Sequence, residues 1–136
     1  MYKLVEHTAD IGIEARAGSA MLVLQDMALG LKALMFGESP ALAKSDAEIT
    51  VHAEDLTELL VCWLNEVAYW SEKDNLIPAG FRIEMLTETD LRATISGEPF
   101  DPLRHAVERQ VKSVTYHQAC LEKGPEGWHA MVYVDL

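Results

Sequence analysis

His7-Thr8-Ala9-Asp10-Ile11-Gly12-Ile13-Glu14-Ala15-Arg16-Ala17, residues 7–17, passes from a short polar run into strict alternation. Ile11, Ile13, Ala15 and Ala17 fall on one side, and Gly12, Glu14 and Arg16 on the other. That is the period of a half-buried strand, and it sets Asp10 at the strand's entrance on the polar face. Gly18-Ser19 breaks the alternation and Ser19 is suited to cap a helix. Leu24, Met27, Ala28, Leu31, Leu34 and Met35 then recur at helical spacing, which predicts a helix from Ala20 to Phe36 ending near Gly37. Gly30 inside it costs up to about 1 kcal/mol relative to Ala, so a close helix–sheet or helix–helix approach is expected there.

The same two periods organise the rest of the chain. Tyr2 to Val5 reads as a strand leading into the opening motif, and Glu38 to Asp46, with Pro40, as a connection. Ile49, Val51 and Ala53 alternate as a strand. Asp55 and Glu58 stand in capping-box spacing before a stripe of Leu56, Leu59, Leu60, Trp63, Leu64, Val67 and Trp70. Such a stripe is core, and Cys62 within it reads as a small core residue. Asn75 to Gly80, with Pro78, is expected to close this half. Phe81, Ile83 and Met85, then Leu91, Ala93 and Ile95, form a hairpin pattern around Thr89-Asp90, which Gly97-Glu98-Pro99 interrupts. Asp101 to Gln110 has room for one helical turn, and Val111 to His117 is strand-like. Gly124-Pro125-Glu126-Gly127 turns into a last strand with Trp128, Ala130, Val132 and Val134 facing the core. Two helices and six to eight strands joined by short turns imply an α+β two-layer sandwich, its largely antiparallel sheet covered on one face by the helices.

The 136 residues form one expected domain, residues 1–136, long enough to bury roughly two-thirds of the unfolded surface. The 11 Lys and Arg against 22 Asp and Glu leave a net charge of −11. Such a surface repels phosphate backbones, so direct nucleic-acid binding is not expected, whereas a basic protein partner or a divalent cation suits it. Two cysteines, Cys62 and Cys120, lack zinc-site or redox-pair spacing. Without a leader pattern or an apolar span the chain reads as cytoplasmic.

Asp10 alone is most simply a loop-stabilising residue making an Asx-turn. Asp135, however, stands on the polar side of the last strand, next to Leu136. If the last strand lies near the one Asp10 opens, two carboxylates and main-chain oxygen converge, a donor set for Ca²⁺ or Mg²⁺ and not for zinc or copper. Catalysis has less behind it. His7, His52, His105, His117 and His129 lack HExxH spacing, and there is no GxSxG, GxGxxG or GxxxxGK[ST] loop. His7 and His117 are the available acid–base pair.

His7-Thr8-Ala9-Asp10-Ile11-Gly12, Ala28-Leu29-x-Leu31, Trp63-Leu64-Asn65-Glu66, Gly97-Glu98, Val111-Lys112-x-Val114-Thr115-Tyr116-His117 and Val134-Asp135-Leu136 occur in one order along the whole chain. In this the sequence resembles the archease family. The resemblance implies a small acidic α+β protein that is not itself an enzyme. It would serve as cofactor to the GTP-dependent RNA ligase that joins tRNA halves, promoting guanylylation of the ligase and repeated turnover. It also implies a divalent metal, calcium in the family, held by Asp10, Asp135 and the main chain of Leu136. Glu6, His7, Lys112 and His117 are the expected partner-binding residues around it. Two other roles follow less directly: a chaperone-like modulator of a tRNA-modifying methyltransferase, and a small metal-dependent enzyme. The sequence departs from the family pattern at Ser19, where an acid is usual, so any third carboxylate would come from Glu6 or from the partner. Met21-Leu22-Val23 replaces acidic residues and is expected to leave extra apolar surface. His105 matches a family His, though its neighbours match poorly.

Overall fold

The computed structural model describes residues 1–6 and 10–136. Along the chain run β1 (Tyr2–Glu6), β2 (Ile11–Ala17), α1 (Ala20–Phe36), β3 (Ser45–His52), α2 (Leu56–Lys73), β4 (Leu76–Leu86), β5 (Asp90–Pro99), β6 (Ser113–Gly124) and β7 (Gly127–Asp135). The strands divide between two antiparallel sheets, ordered β1-β2-β7-β6 and β3-β5-β4. This is an α+β architecture with a shared core between the sheets and the two helices.

Both helices begin where their caps dictate. The Ser19 Oγ accepts the Leu22 N–H at 3.2 Å, and α1 ends at Gly37, whose φ of 61° suits glycine and whose N–H donates to the Ala33 carbonyl at 2.8 Å. In α2 the Asp55 carboxylate accepts the Glu58 N–H at 2.8 Å. Glu58 reaches back to the N–H of Glu54, at 3.4 Å, so the return arm of the capping box lands one residue upstream of the cap.

Packing follows the apolar stripes. Met27, Leu31, Leu60, Trp63 and Val67 are fully buried with Ile13 of β2 and Val132 of β7. The indole N–H of Trp63 donates to the Leu24 carbonyl at 2.9 Å, which gives a buried polar atom its partner and ties α2 to α1. Gly30 is where α1 comes closest to the sheet: a Cβ there would lie 2.7 Å from Ile13 Cγ2 and 3.1 Å from Tyr2 Cβ. The expected close helix–sheet approach is therefore real, and it offsets the poor helix propensity of glycine.

Several local expectations are corrected. Residues 75–80 are not a closing loop, because β4 starts at Leu76 and runs through Pro78 and Gly80. β4 is an edge strand with a register shift between Pro78 and Gly80, a place that tolerates a residue without an N–H. Gly97-Glu98-Pro99 does not interrupt a strand but finishes β5. Between Asp101 and Gln110 there is a turn at 102–104 and no helix, and β6 begins at Ser113 and continues to Gly124. Cys62 lies at the core's margin, with Sγ 3.5 Å from the Tyr116 hydroxyl. Of Met21-Leu22-Val23, Met21 and Leu22 are exposed and Val23 is fully buried, so the extra apolar surface is smaller than the sequence implies.

Candidate functional site

The four-stranded sheet brings the two ends of the chain together. β2 and β7 pair antiparallel, with Ile11 opposite Val134. Asp10 immediately precedes Ile11 and Asp135 immediately follows Val134, so the two aspartates flank this last pair of the ladder. Ile11 and Val134 face the core, so Asp135, the next residue of β7, faces the other way by alternation, and Asp10 lies in the bend that leads into β2. On either side, β1 ends with Glu6 opposite Ile11, and β6 begins with Ser113 opposite Asp135. The Lys112 N–H donates to the Asp135 carbonyl at 2.9 Å. Asp10 is half-buried, Asp135 and Lys112 are exposed, and Leu136 packs partly against the core.

One end of the sheet thus gathers Asp10, Asp135, Leu136, Lys112 and the backbone of Glu6. His7 lies outside the described residues. His117 is reached differently. Register between β6 and β7 is lost between Thr115 and Cys120, and Gln118 takes a φ of 56°. Tyr116, His117 and Gln118 are exposed on this bulge, and the His117 ring lies 6.4 Å from the Tyr133 ring, centroid to centroid. A bulge of this kind re-aims side chains out of the sheet. Tyr116 keeps its phenolic proton at neutral pH: its hydrogen bond to Cys62, then burial, push its phenol up to about 12.

α1 contributes its field. It runs back along the sheet so that Gly37 at its C-terminus and Ile11 of β2 line the same small cleft. The negative end of the helix dipole therefore faces this end of the sheet, and no basic residue occupies the last turn. The combination of two carboxylates, main-chain oxygens and a helix C-terminus is suited to a hard cation.

Three supporting residues carried no separate signal in the sequence. Gly12 is needed because the outward face above it is occupied: a Cβ would meet Met131 Cε at 2.6 Å and Tyr133 Cε1 at 3.2 Å. Asn65 of α2 grips the start of β6, accepting the Val114 N–H at 2.9 Å and donating to the Val114 carbonyl at 3.0 Å. Glu98 is buried, with a bidentate Arg104 at 2.7 and 3.2 Å, the Leu42 N–H at 2.5 Å and Lys44 at 3.5 Å. His105, also buried, accepts the Asp101 N–H on Nδ1 at 2.9 Å and turns Nε2 toward Glu98 at 3.6 Å. It braces the loop through Asp101 and Glu98. Ser19 lies beyond the other end of β2, whose last residue, Ala17, is already about 23 Å from Asp10 at the strand rise of about 3.3 Å per residue. An acid there would not have been a third ligand beside Asp10.

Residues 2–136 match the model of the archease protein family (MTH1598/TM1083). The archease of Methanosarcina acetivorans is 34% identical over 139 residues, covering 99% of this chain and 95% of that protein. That of Methanopyrus kandleri is 33% identical over 135 residues, covering 97% and 96%. The solution structure of Methanobacterium thermoautotrophicum protein 1598 superposes with a TM-score of 0.83 at 24% identity, over 99% of this chain and 98% of that one. A crystal structure of the Thermotoga maritima archease gives 0.68 at 21% identity, over 100% and 98%. With one fold, one motif order and near-complete coverage, the chain belongs to the archease family.

Proposed function

We propose that this archease is a protein cofactor of a GTP-dependent RNA ligase, promoting guanylylation of the ligase, and that Asp10, Asp135 and the main chain of Leu136 hold a divalent cation for that purpose. The observation that supports the reading is the register of β2 and β7, whose last pair, Ile11 and Val134, is flanked by Asp10 and Asp135 at one end of the sheet. The donors are all oxygen, which fits calcium. When bound, such a cation supplies positive charge that oxygen atoms of a partner or of its nucleotide can share.

This chain's own residues do the rest. Guanylylation needs a nucleophile, a nucleotide and metal ions held in line, and positioning can contribute several kcal/mol to lowering the barrier. The sequence has no glycine-rich phosphate loop, so the effect is exerted on the ligase's own site. Lys112, His117 and the backbone end of β1 at Glu6 surround the aspartates and are the proposed contact, together with His7. The net charge of −11 draws the chain toward a basic, RNA-binding surface, with an on-rate that falls as salt rises.

The test is incorporation of labelled GTP into the cognate ligase. Substoichiometric archease is expected to accelerate labelling over many turnovers, less so at high salt, and little with Asp10→Ala or Asp135→Ala. Equal rates with and without the protein contradict the proposal. The Thermotoga maritima relative is described as a possible chaperone. A chaperone role here would instead require stoichiometric amounts and would raise ligase solubility without changing the labelling rate per folded ligase.

A further inference from the structure

At the opposite end of the same sheet, three residues of different ligand type meet on the outward face of the β6–β7 hairpin. Ligand atoms of Cys120, Glu122 and His129 all lie within 4.8 Å of one another. Cys120 and His129 are half-buried and Glu122 is exposed. We propose that they form a site for a borderline divalent cation of the zinc class, with Glu14 of β2 positioning His129.

The strongest sign is the orientation of the imidazole. His129 Nε2 lies 2.8 Å from the Glu14 carboxylate, and an ionised carboxylate only accepts, so the proton is on Nε2. In the neutral ring Nδ1 then carries the lone pair, and it faces Cys120 Sγ at 3.9 Å. Metal-binding histidines characteristically donate their other ring N–H to a carboxylate in this way, which fixes the tautomer and raises ligand basicity. The spacing agrees. Zinc at about 2.3 Å from sulfur and about 2.05 Å from nitrogen in tetrahedral geometry separates the two donors by about 3.6 Å. Closing from 3.9 Å needs a shift of only a few tenths of an ångström, and the exposed Glu122 side chain is free to move further.

The donor set is thiolate, imidazole and carboxylate, which selects zinc over calcium or magnesium. Three protein ligands leave a fourth position for water, and Glu122 and His129 also line an open cleft of about 530 Å³ beside Arg16 and Trp128. Burial, and then Glu122, raise the Cys120 thiol, so the metal-free protein holds it protonated. Binding replaces the S–H bond by an S–metal bond and releases that proton to solvent. The site lies about 20 Å along β7 from Asp135 at the strand rise of about 3.3 Å per residue, and it uses none of the residues proposed for the hard cation.

Cobalt titration of the full chain tests this, with the d–d and thiolate-to-cobalt charge-transfer absorption as readout. One equivalent of Co²⁺ is expected to produce the charge-transfer band, and Zn²⁺ to abolish it by displacement. Cys120→Ser should lose the band, while Cys62→Ser and Asp10→Ala keep it. Glu14→Gln should keep the band but weaken affinity roughly 10- to 100-fold, as expected for a carboxylate behind a ligating histidine. No band in the wild type, or a band that survives Cys120→Ser, overturns the site. Unchanged affinity in Glu14→Gln overturns the part given to Glu14. Loss of the band in Asp10→Ala would contradict independence from the other end of the sheet.

Discussion

Glu98 shows how a single residue organises a region without taking part in the proposed chemistry. Its carboxylate is buried where the loop at Leu42 and Lys44 meets the loop at Arg104 and His105. The Arg104 hydrogen bonds, then the Leu42 N–H, hold it at about 2 against an ordinary value of 4.5. A depressed carboxyl stabilises the folded state above its unfolded value, and that contribution is lost as pH falls through the folded one. Stability should therefore decline between about 4.5 and about 2, as Glu98 takes up a proton. Urea midpoints measured across this range should fall in the wild type and flatten in Glu98→Gln, which starts from lower stability at neutral pH. Equal slopes would mean that Glu98 is not the group responsible. None of this was legible in the sequence, where Gly97-Glu98-Pro99 has the composition of a turn. An acid at the end of a strand reads as solvent-facing until Arg104, six residues on, folds back to meet it.

At the scale of elements, what is local was legible and what is relayed between elements was not. Both helices begin where Ser19 and Asp55 place them, and α1 ends at Gly37, because a cap and a 3.6-residue stripe lie within one short window. The start of β4 was hidden because Pro78 and Gly80 usually end strands, and only its edge position makes them tolerable. The bulge at Tyr116–His117 was hidden for a similar reason: β-branched and aromatic residues suggest an unbroken strand, and the lost register is visible only against β7. Asn65 is the relay that fixes where this strand begins. Asn65→Ala removes two hydrogen bonds and leaves the Val114 N–H and carbonyl, inside a buried residue, without their partner. The expected cost is about 1–3 kcal/mol. Amide exchange should accelerate at Val114 and its β6 neighbours while the α1 core stays protected. Uniform acceleration across the molecule would show that Asn65 supports the whole core and not this edge.

For the whole molecule, alternation and stripes were enough to predict an α+β fold, but not that the strands split into two sheets. Sheet membership is set by pairings between segments as distant as β2 and β7, and no window of sequence contains both. The same long-range pairing brings the ends of β2 and β7 that carry Asp10 and Asp135 to one end of the sheet, with Ser19 beyond the other end of β2. The −11 charge supplies the background for this end of the molecule: cations are attracted to it and polyanions are kept off. The proposed cation site requires the two aspartates to act together, and calcium titration calorimetry of the wild type, Asp10→Ala and Asp135→Ala tests that directly. The wild type should bind one ion, and each substitution alone should abolish that binding while circular dichroism shows the fold retained. Undiminished calcium binding in either folded variant would contradict the shared site.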